Sequence, residues 1–111
     1  YPACQVALAQ LAEVDGFQVA SRFELFARGL ELANGYFELG NSVELKARME
    51  ANNVLRTTRN LPLIAPDEKL LASLEYMPEC SGIALGVDRL LMILLGKSSL
   101  ADVVTFTSDC I

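Results

Sequence analysis

The chain has 111 residues, enough for one domain, and its 9 basic and 14 acidic side chains give a formal net charge of −5. This charge argues against stable binding to nucleic acid or to an anionic membrane surface, because both attract basic proteins. Hydrophobic residues make up 52% of the sequence, which excludes a disordered chain. A mean hydropathy of +0.34 is high for so short a chain and predicts apolar surface that a partner chain, or the rest of a larger fold, would cover.

Histidine is absent, which removes the commonest general base, histidine-dependent nucleophiles and imidazole zinc sites. Any catalysis would therefore rest on carboxylates, arginines and main-chain groups. The three cysteines, Cys4, Cys80 and Cys110, lack CxxC spacing, which favours reduced thiols in a cytoplasmic protein. The longest apolar run, residues 90–95, is far shorter than the ~20 residues that span a bilayer, so we expect no membrane partner.

In chain order, the first predicted element is a strand over residues 17–27, which alternate with a two-residue period. Gly29 breaks this period and residues 30–33 resume it, which predicts a second, antiparallel strand after a turn at Arg28 and Gly29. The Asn34-Gly35 pair predicts a further bend.

A helix is predicted to begin near residue 42, because Asn41 followed by Glu44 has the capping-box pattern. Residues 56–66 contain two prolines and predict a loop, after which Asp67 begins a second helix that Pro78 ends.

The last part of the chain predicts a third strand over residues 82–87 and a helix that Asp88 caps and Gly96 stops. A short strand is expected over residues 102–106. No repeat or linker divides the chain, so we treat residues 1–111 as one unit.

The predicted strand over residues 82–87 alternates small and branched residues, which leaves one of its faces nearly bare backbone. A flat ligand could lie there, and Arg89 follows to stack on an aromatic ring or pair with phosphate. Strand and arginine together indicate a nucleotide platform. The alternative is a helix that crosses closely over the small residues, with Asp88 and Arg89 in a surface ion pair.

Two carboxylates, Glu31 and Glu38, lie seven residues apart around Asn34 and Gly35. Together they could hold Mg²⁺ with substrate phosphates, or receive a substrate ammonium group. Solvent-facing glutamates on a hairpin would explain the same pattern.

Two segments resemble a known family. RFELFARGLELANGYFEL, residues 22–39, resembles the segment before motif 3 of lysine-type class II aminoacyl-tRNA synthetases, and SGIALGVDRLLMILLG, residues 81–96, resembles motif 3 itself. Within that family the chain is similar to the paralogues that attach (R)-β-lysine to a lysine of elongation factor P. The YPACQ, MPECS and LADVV segments extend the resemblance over nearly the whole chain.

The resemblance implies an α/β (α+β) fold, an antiparallel sheet flanked by helices. Residues 1–111 would be the C-terminal portion of a catalytic domain, with motif 3 but without motifs 1 and 2. The parent, a cytoplasmic homodimer, would use ATP and Mg²⁺ to activate lysine or (R)-β-lysine as an aminoacyl-adenylate and transfer it to elongation factor P. The alternatives are a lysyl-tRNA synthetase, which acts on tRNA, and a non-catalytic synthetase-like module.

The resemblance also implies roles for particular residues. Arg89 would be the catalytic motif 3 arginine, and ATP would contact Glu31, Leu32, Gly86 and Arg89. Magnesium would bind Glu31 and Glu38. The amino-acid substrate would contact Asn34, Tyr36, Glu38, Gly82 and Ala84. Ala84 stands where lysyl-tRNA synthetases usually have glycine, and its methyl group could discriminate between α- and β-lysine by steric fit.

Overall fold

The structure is a computed structural model that describes residues 1–107. Its strands are β1 (Leu11–Val14), β2 (Phe17–Ala20), β3 (Arg22–Ala27), β4 (Leu30–Phe37) and β5 (Ser81–Leu85). Its helices are α1 (Ser42–Thr58), α2 (Glu68–Ser73) and α3 (Val87–Leu94), with short 3₁₀ turns at Ala3–Gln5, Leu74–Tyr76 and Leu100–Asp102.

The strands form two antiparallel sheets, and helices accompany them as the predicted fold class requires. One sheet is the β1–β2 hairpin, and the other has the order β3-β4-β5 with β4 in the centre. The predicted turn at Arg28 and Gly29 is confirmed, with φ of +52° and +76°. Positive φ at both central residues is the geometry of a type I′ hairpin turn, whose twist matches that of the strands it joins.

The predicted bend at Asn34 and Gly35 is wrong, because β4 runs through both residues and pairs with a strand on either side. Gly35 serves close packing instead of turning the chain. A Cβ atom at this position would lie only 2.7 Å from Phe23 Cζ and 3.0 Å from the Gly82 carbonyl oxygen. The glycine therefore lets the Phe23 ring lie flat against the centre of the sheet.

The predicted single strand over residues 17–27 is two strands that belong to different sheets. They separate at Ser21, whose N–H donates to Gln10 and whose carbonyl accepts from Phe37, both at 2.8–2.9 Å. The chain therefore crosses from one sheet to the other at Ser21, and the two-residue alternation of side chains continues through this position.

The first two helices begin where predicted. Asn41 Oδ1 accepts the Glu44 N–H at 2.9 Å, and Asp67 Oδ1 accepts two N–H groups of α2 at 3.0 Å. Helix α1 continues to Thr58, so the predicted loop over residues 56–66 begins three residues later than expected.

Two predictions near the end of the chain are wrong. Asp88 is not the N-cap of α3, because β5 ends at Leu85 and Gly86 takes the cap position. The Gly86 N–H donates to the Leu32 carbonyl at 2.8 Å. Strand β5 ends one residue before Gly86, and α3 begins one residue after it. Residues 102–106 form no strand, since a 3₁₀ turn occupies Leu100–Asp102 and no strand partner follows within the described residues.

The core is small and lies beside the sheet, where Leu39, Leu45, Leu71 and Leu74 pack with Met49 and Met77. The accessible surface is 8217 Å², against roughly 6,000 Å² for a compact monomer of this mass. Phe23, Leu25, Ile83 and Leu85 share one face of the β3-β4-β5 sheet, and each is about half exposed or more. The apolar surface expected from the composition is therefore present.

No helix within residues 1–107 is long and apolar enough to cross a membrane. Cys4 and Cys80 are free thiols. Cys110 lies outside the described residues.

We expect Gly35→Ala to destabilise the protein by about 1–3 kcal/mol, because the added methyl group must displace the Phe23 ring or the neighbouring strand. Urea-induced unfolding of the full-length protein measures the change. Gly40→Ala is the matched control, since its Cβ would meet only Met77 Cε at an ordinary 3.7 Å. Equal stability of the two variants would contradict this account of Gly35.

Candidate active site

A β-bulge in β4 determines which side chains share a surface. Tyr36, Asn34 and Ala33 pair regularly with β3, but Phe26 pairs with Glu31, which leaves Leu32 as an extra residue. In a regular strand, Glu31 and Asn34 would point to opposite faces, since side chains alternate. The extra residue restores them to the same face, and Asn34 Nδ2 donates to Glu31 Oε1 at 3.2 Å.

Six of the nine predicted site residues lie on this one face, which we call the binding face. Cross-strand partners point to the same side of a sheet, so the binding face also includes the β5 partners of Asn34 and Tyr36. Its members from the prediction are Glu31, Asn34, Tyr36, Gly82 and Ala84, with Glu38 at the end of the strand. The opposite face of the same sheet carries the exposed apolar side chains described above.

One end of the binding face is formed by Glu31 and Arg89. Arg89 lies in the first turns of α3, and its Nη1 donates to the Glu31 carbonyl oxygen at 2.7 Å. Its side chain is exposed, and no ion pair joins it to Asp88 within residues 1–107, so the surface ion pair considered above does not form. The guanidinium is therefore held beside Glu31 with most of its donors available.

Leu32 and Gly86 connect this end to helix α3. Leu32 is buried, and its carbonyl accepts the Gly86 N–H. A Cβ on Gly86 would meet only ordinary contacts, at 3.4 Å from Arg89 Cδ and 3.5 Å from the Leu32 oxygen. The chain itself therefore does not require glycine here. Bare backbone beside an arginine leaves room for a ligand to approach closely.

The other end of the binding face is formed by Glu38 and Gly82. A Cβ on Gly82 would overlap Glu38 Oε1 and lie 3.2 Å from Glu38 Cδ. Any larger residue at position 82 would therefore displace the Glu38 carboxylate from its observed position. Among the described residues, the Glu38 carboxylate has no hydrogen-bond or ion-pair partner. An open pocket of about 530 Å³ adjoins this end, lined by Glu38 together with Gln10, Asn41, Met77 and Glu79.

Glu31 and Glu38 share the binding face, and their side chains extend toward the residues that lie between them. The strand rises ~3.3 Å per residue, which puts the two Cα atoms about 20 Å apart. The carboxylates lie closer than the Cα atoms, because Glu31 Oε1 accepts from Asn34 and Glu38 Oε1 lies over Gly82, the β5 partner of Tyr36. That both residues bind Mg²⁺ stays a prediction.

Three residues of the binding face were missed by the sequence analysis: Tyr1, Arg22 and Glu24. Arg22 pairs with Tyr36 across the strands, and Glu24 pairs with Asn34, the residue that donates to Glu31. Glu24 and Glu31 are also seven residues apart, and the register brings this pair to neighbouring positions. The alternation of polar and apolar residues from position 22 could have predicted them, since it places Arg22 and Glu24 on the same side of β3.

The Tyr1 hydroxyl lies in the electrostatic field of this group. It donates to Glu24 Oε2 at 2.6 Å, and this hydrogen bond is the main reason why the pKa of Tyr1 lies above its ordinary value of 10.0. Desolvation and the negative charges of Glu24 and Glu31 raise the pKa further, whereas Arg22 lowers it. Tyr1 therefore senses both carboxylates, which agrees with their neighbouring positions.

Residues 1–109 match the family model of class II tRNA synthetases (D, K and N). The chain therefore belongs to the class II tRNA synthetase family. It is 49% identical over 110 residues to the elongation factor P–(R)-beta-lysine ligases of Salmonella paratyphi B, Salmonella heidelberg and Salmonella agona. The alignment covers 98% of this chain and 34% of each relative, so the chain spans about a third of the length of these curated relatives.

We expect Glu24→Gln to lower the pKa of Tyr1, because it removes a negative charge that favours the protonated hydroxyl. A raised folded-state pKa stabilises the fold below the ordinary value of 10.0, and this contribution is lost as the pH rises through the folded-state pKa. Ultraviolet titration of tyrosinate, with Tyr1→Phe to identify the Tyr1 transition, measures the shift. An unchanged transition in Glu24→Gln would contradict the assignment.

Proposed function

We propose that this chain is the C-terminal portion of a class II synthetase-type catalytic domain and carries motif 3, with motifs 1 and 2 in the part of the full-length enzyme that precedes it. The observation that carries the proposal is the binding face. One side of a three-stranded sheet gathers two carboxylates at opposite ends, polar residues between them and an arginine on the following helix. The two alternatives, solvent-facing glutamates on a hairpin and a helix that crosses closely over small residues, do not explain why these groups lie on one face.

The proposed enzyme is an ATP-dependent ligase. The carboxylate of lysine or (R)-β-lysine attacks the α-phosphate of ATP, which gives an aminoacyl-adenylate and releases pyrophosphate. The amine of a lysine side chain of elongation factor P then attacks the acyl carbon, which releases AMP. The names of the Salmonella relatives, elongation factor P–(R)-beta-lysine ligases, support this acceptor and this amino acid.

The Glu31 end suits ATP and Mg²⁺. Glu31 would bind the ion, with Glu38 as the second predicted carboxylate, since magnesium usually takes one or two carboxylates together with substrate phosphates and water. Arg89 would lie against the adenine and phosphates, and Gly86 and Leu32 would leave the backbone open to the nucleotide. A bound Mg²⁺ would supply charge stabilisation at the phosphates. Arg89 adds fixed positive charge on the same side of the reacting group.

The Glu38 end suits the amino group of the substrate. A carboxylate without a partner at the edge of a pocket is a strong acceptor for an ammonium group. Asn34 and Tyr36 lie between the two ends and would line the body of the amino acid, with Gly82 and Ala84 beneath it on β5. This arrangement needs no histidine, because adenylate formation relies on orientation and on stabilisation of developing charge.

The proposal extends to the setting of the enzyme. We expect a cytoplasmic homodimer whose interface motif 1 would build, with no stable nucleic-acid contact on this acidic chain. A lysyl-tRNA synthetase is the second candidate, because the matched family model includes the lysine-type tRNA synthetases. A non-catalytic module would be free to lose Glu31, Glu38 and Arg89, and this chain has all three.

The first test of the proposal is Glu38→Gln in the full-length enzyme. Removing the ammonium acceptor should reduce lysine-dependent or β-lysine-dependent ATP–pyrophosphate exchange by about 100-fold, since a charge-assisted hydrogen bond to the substrate is lost. Glu50→Gln on the exposed face of α1 is the matched control and should exchange normally. Normal exchange by Glu38→Gln would reject the role of Glu38. Labelled amino acid offered to elongation factor P and to tRNA(Lys) separates the two acceptors.

Ala84→Gly tests the discrimination between amino acids. Removing one methyl group should raise the use of α-lysine relative to β-lysine by about 10-fold, within the 10–200-fold that one methylene is worth in a tight pocket. The ratio of kcat/KM values for the two amino acids measures the effect. Ala12→Gly in β1 controls for the general cost of glycine in a strand. A ratio that matches the parent enzyme would exclude Ala84 as a selectivity residue.

A further inference from the structure

Arg22 lies in the middle of the binding face, directly across from Tyr36. Its guanidinium carbon is 4.7 Å from the centre of the Tyr1 ring and 5.3 Å from the centre of the Tyr36 ring. Both distances are within the range in which a cation is attracted to an aromatic face. Arg22 therefore lies against two rings, one of which belongs to the proposed amino-acid pocket.

Polar contacts hold the same guanidinium in place. Nη1 donates to the Gln5 carbonyl at 2.9 Å, and Nη2 forms an ion pair with Glu24 Oε1. Glu24 Oε2 in turn accepts from the Tyr1 hydroxyl, so Tyr1 contacts the pair through both its ring and its oxygen. The Arg22 side chain is only 12% exposed, and its Nε is buried without a partner.

This arrangement depends on properties that lysine does not share. A guanidinium is planar, so it can stack on a ring through its faces while its edges donate hydrogen bonds in fixed directions. An ammonium group can reach one carboxylate but has no flat face to present to a ring. The nearly buried position also gives the guanidinium little freedom to move, since leaving its carboxylate would strand a desolvated charge.

We propose that Arg22 is a positioning residue for amino-acid binding, acting through Tyr36. Its guanidinium fixes the Tyr36 ring as a wall of the pocket, and Glu24 and Tyr1 fix the guanidinium. The inference rests on the proposed function, because it assigns Tyr36 to the amino-acid pocket. It concerns the amino acid and not ATP, because Arg22 pairs with Tyr36 toward the Glu38 end, whereas Arg89 lies at the other end.

The test is a double-mutant cycle in the full-length enzyme, read by ATP–pyrophosphate exchange. Arg22→Lys should raise the KM for the amino acid about 10-fold and leave the KM for ATP within about twofold. In a Tyr36→Leu background the same substitution should raise the KM for the amino acid less than threefold, because a residue that acts through Tyr36 has little left to position. Arg28→Lys, at the exposed turn of the same hairpin, is the control and should change neither constant.

Two results would overturn the inference: an equal increase in both backgrounds, or a KM for ATP that rises as much as the KM for the amino acid. Tyr1→Leu provides a second test if Arg22→Lys does not fold. It removes the outer ring and keeps the charge pair, and it should raise the KM for the amino acid about threefold, whereas no increase would reject the inference. An inactive parent enzyme would reject the proposed function instead, so the two failures are distinguishable.

Discussion

The extra residue at Leu32 is the constraint on which the site depends. Without this bulge, the period of two would send Glu31 to the apolar side of the sheet, away from Asn34 and Tyr36. With it, Glu31 joins the binding face, Leu32 is buried, and the Leu32 carbonyl accepts the Gly86 N–H at the start of α3. One inserted residue therefore aligns a carboxylate and couples β4 to the helix that carries Arg89.

The same sheet also explains why the chain exposes so much apolar surface. A sheet with one polar and one apolar face is stable only when a second layer covers the apolar face. In the described residues the helices pack mainly around the Leu39 end of β4, and they leave Phe23 and Ile83 uncovered. The proposed larger catalytic domain would supply the surface that covers this apolar face.

The sequence predicted the elements whose signals are local. Asn41 and Asp67 cap their helices because side-chain oxygens and N–H groups a few residues apart decide a helix start. The Asn34-Gly35 bend failed because pairing on both sides, and the Phe23 ring over Gly35, outweigh the turn preference of two residues. Tyr1 could not be placed beside Arg22, since the two residues are 21 positions apart and their contact depends on the bridge between Pro2 and Val19 and on the Ala20 N–H that donates to the Tyr1 carbonyl. The sequence did not predict the bulge at Leu32 either, and therefore did not predict that Glu31 and Glu24 are neighbours.

The charges of the binding face then determine what it can bind. Arg22 compensates Glu24, whereas Glu38 has no partner within residues 1–107 and the Glu31 carboxylate accepts only an amide N–H there. Two carboxylates without an ion-pair partner on one face call for ligands that bring positive charge to that face. In the proposed reaction, the ammonium group of the amino acid and a cation bound to the nucleotide would bring this charge. A flat hydrophobic ligand or a single phosphate would not, so the electrostatics support the proposed two-substrate site more than a simple nucleotide platform.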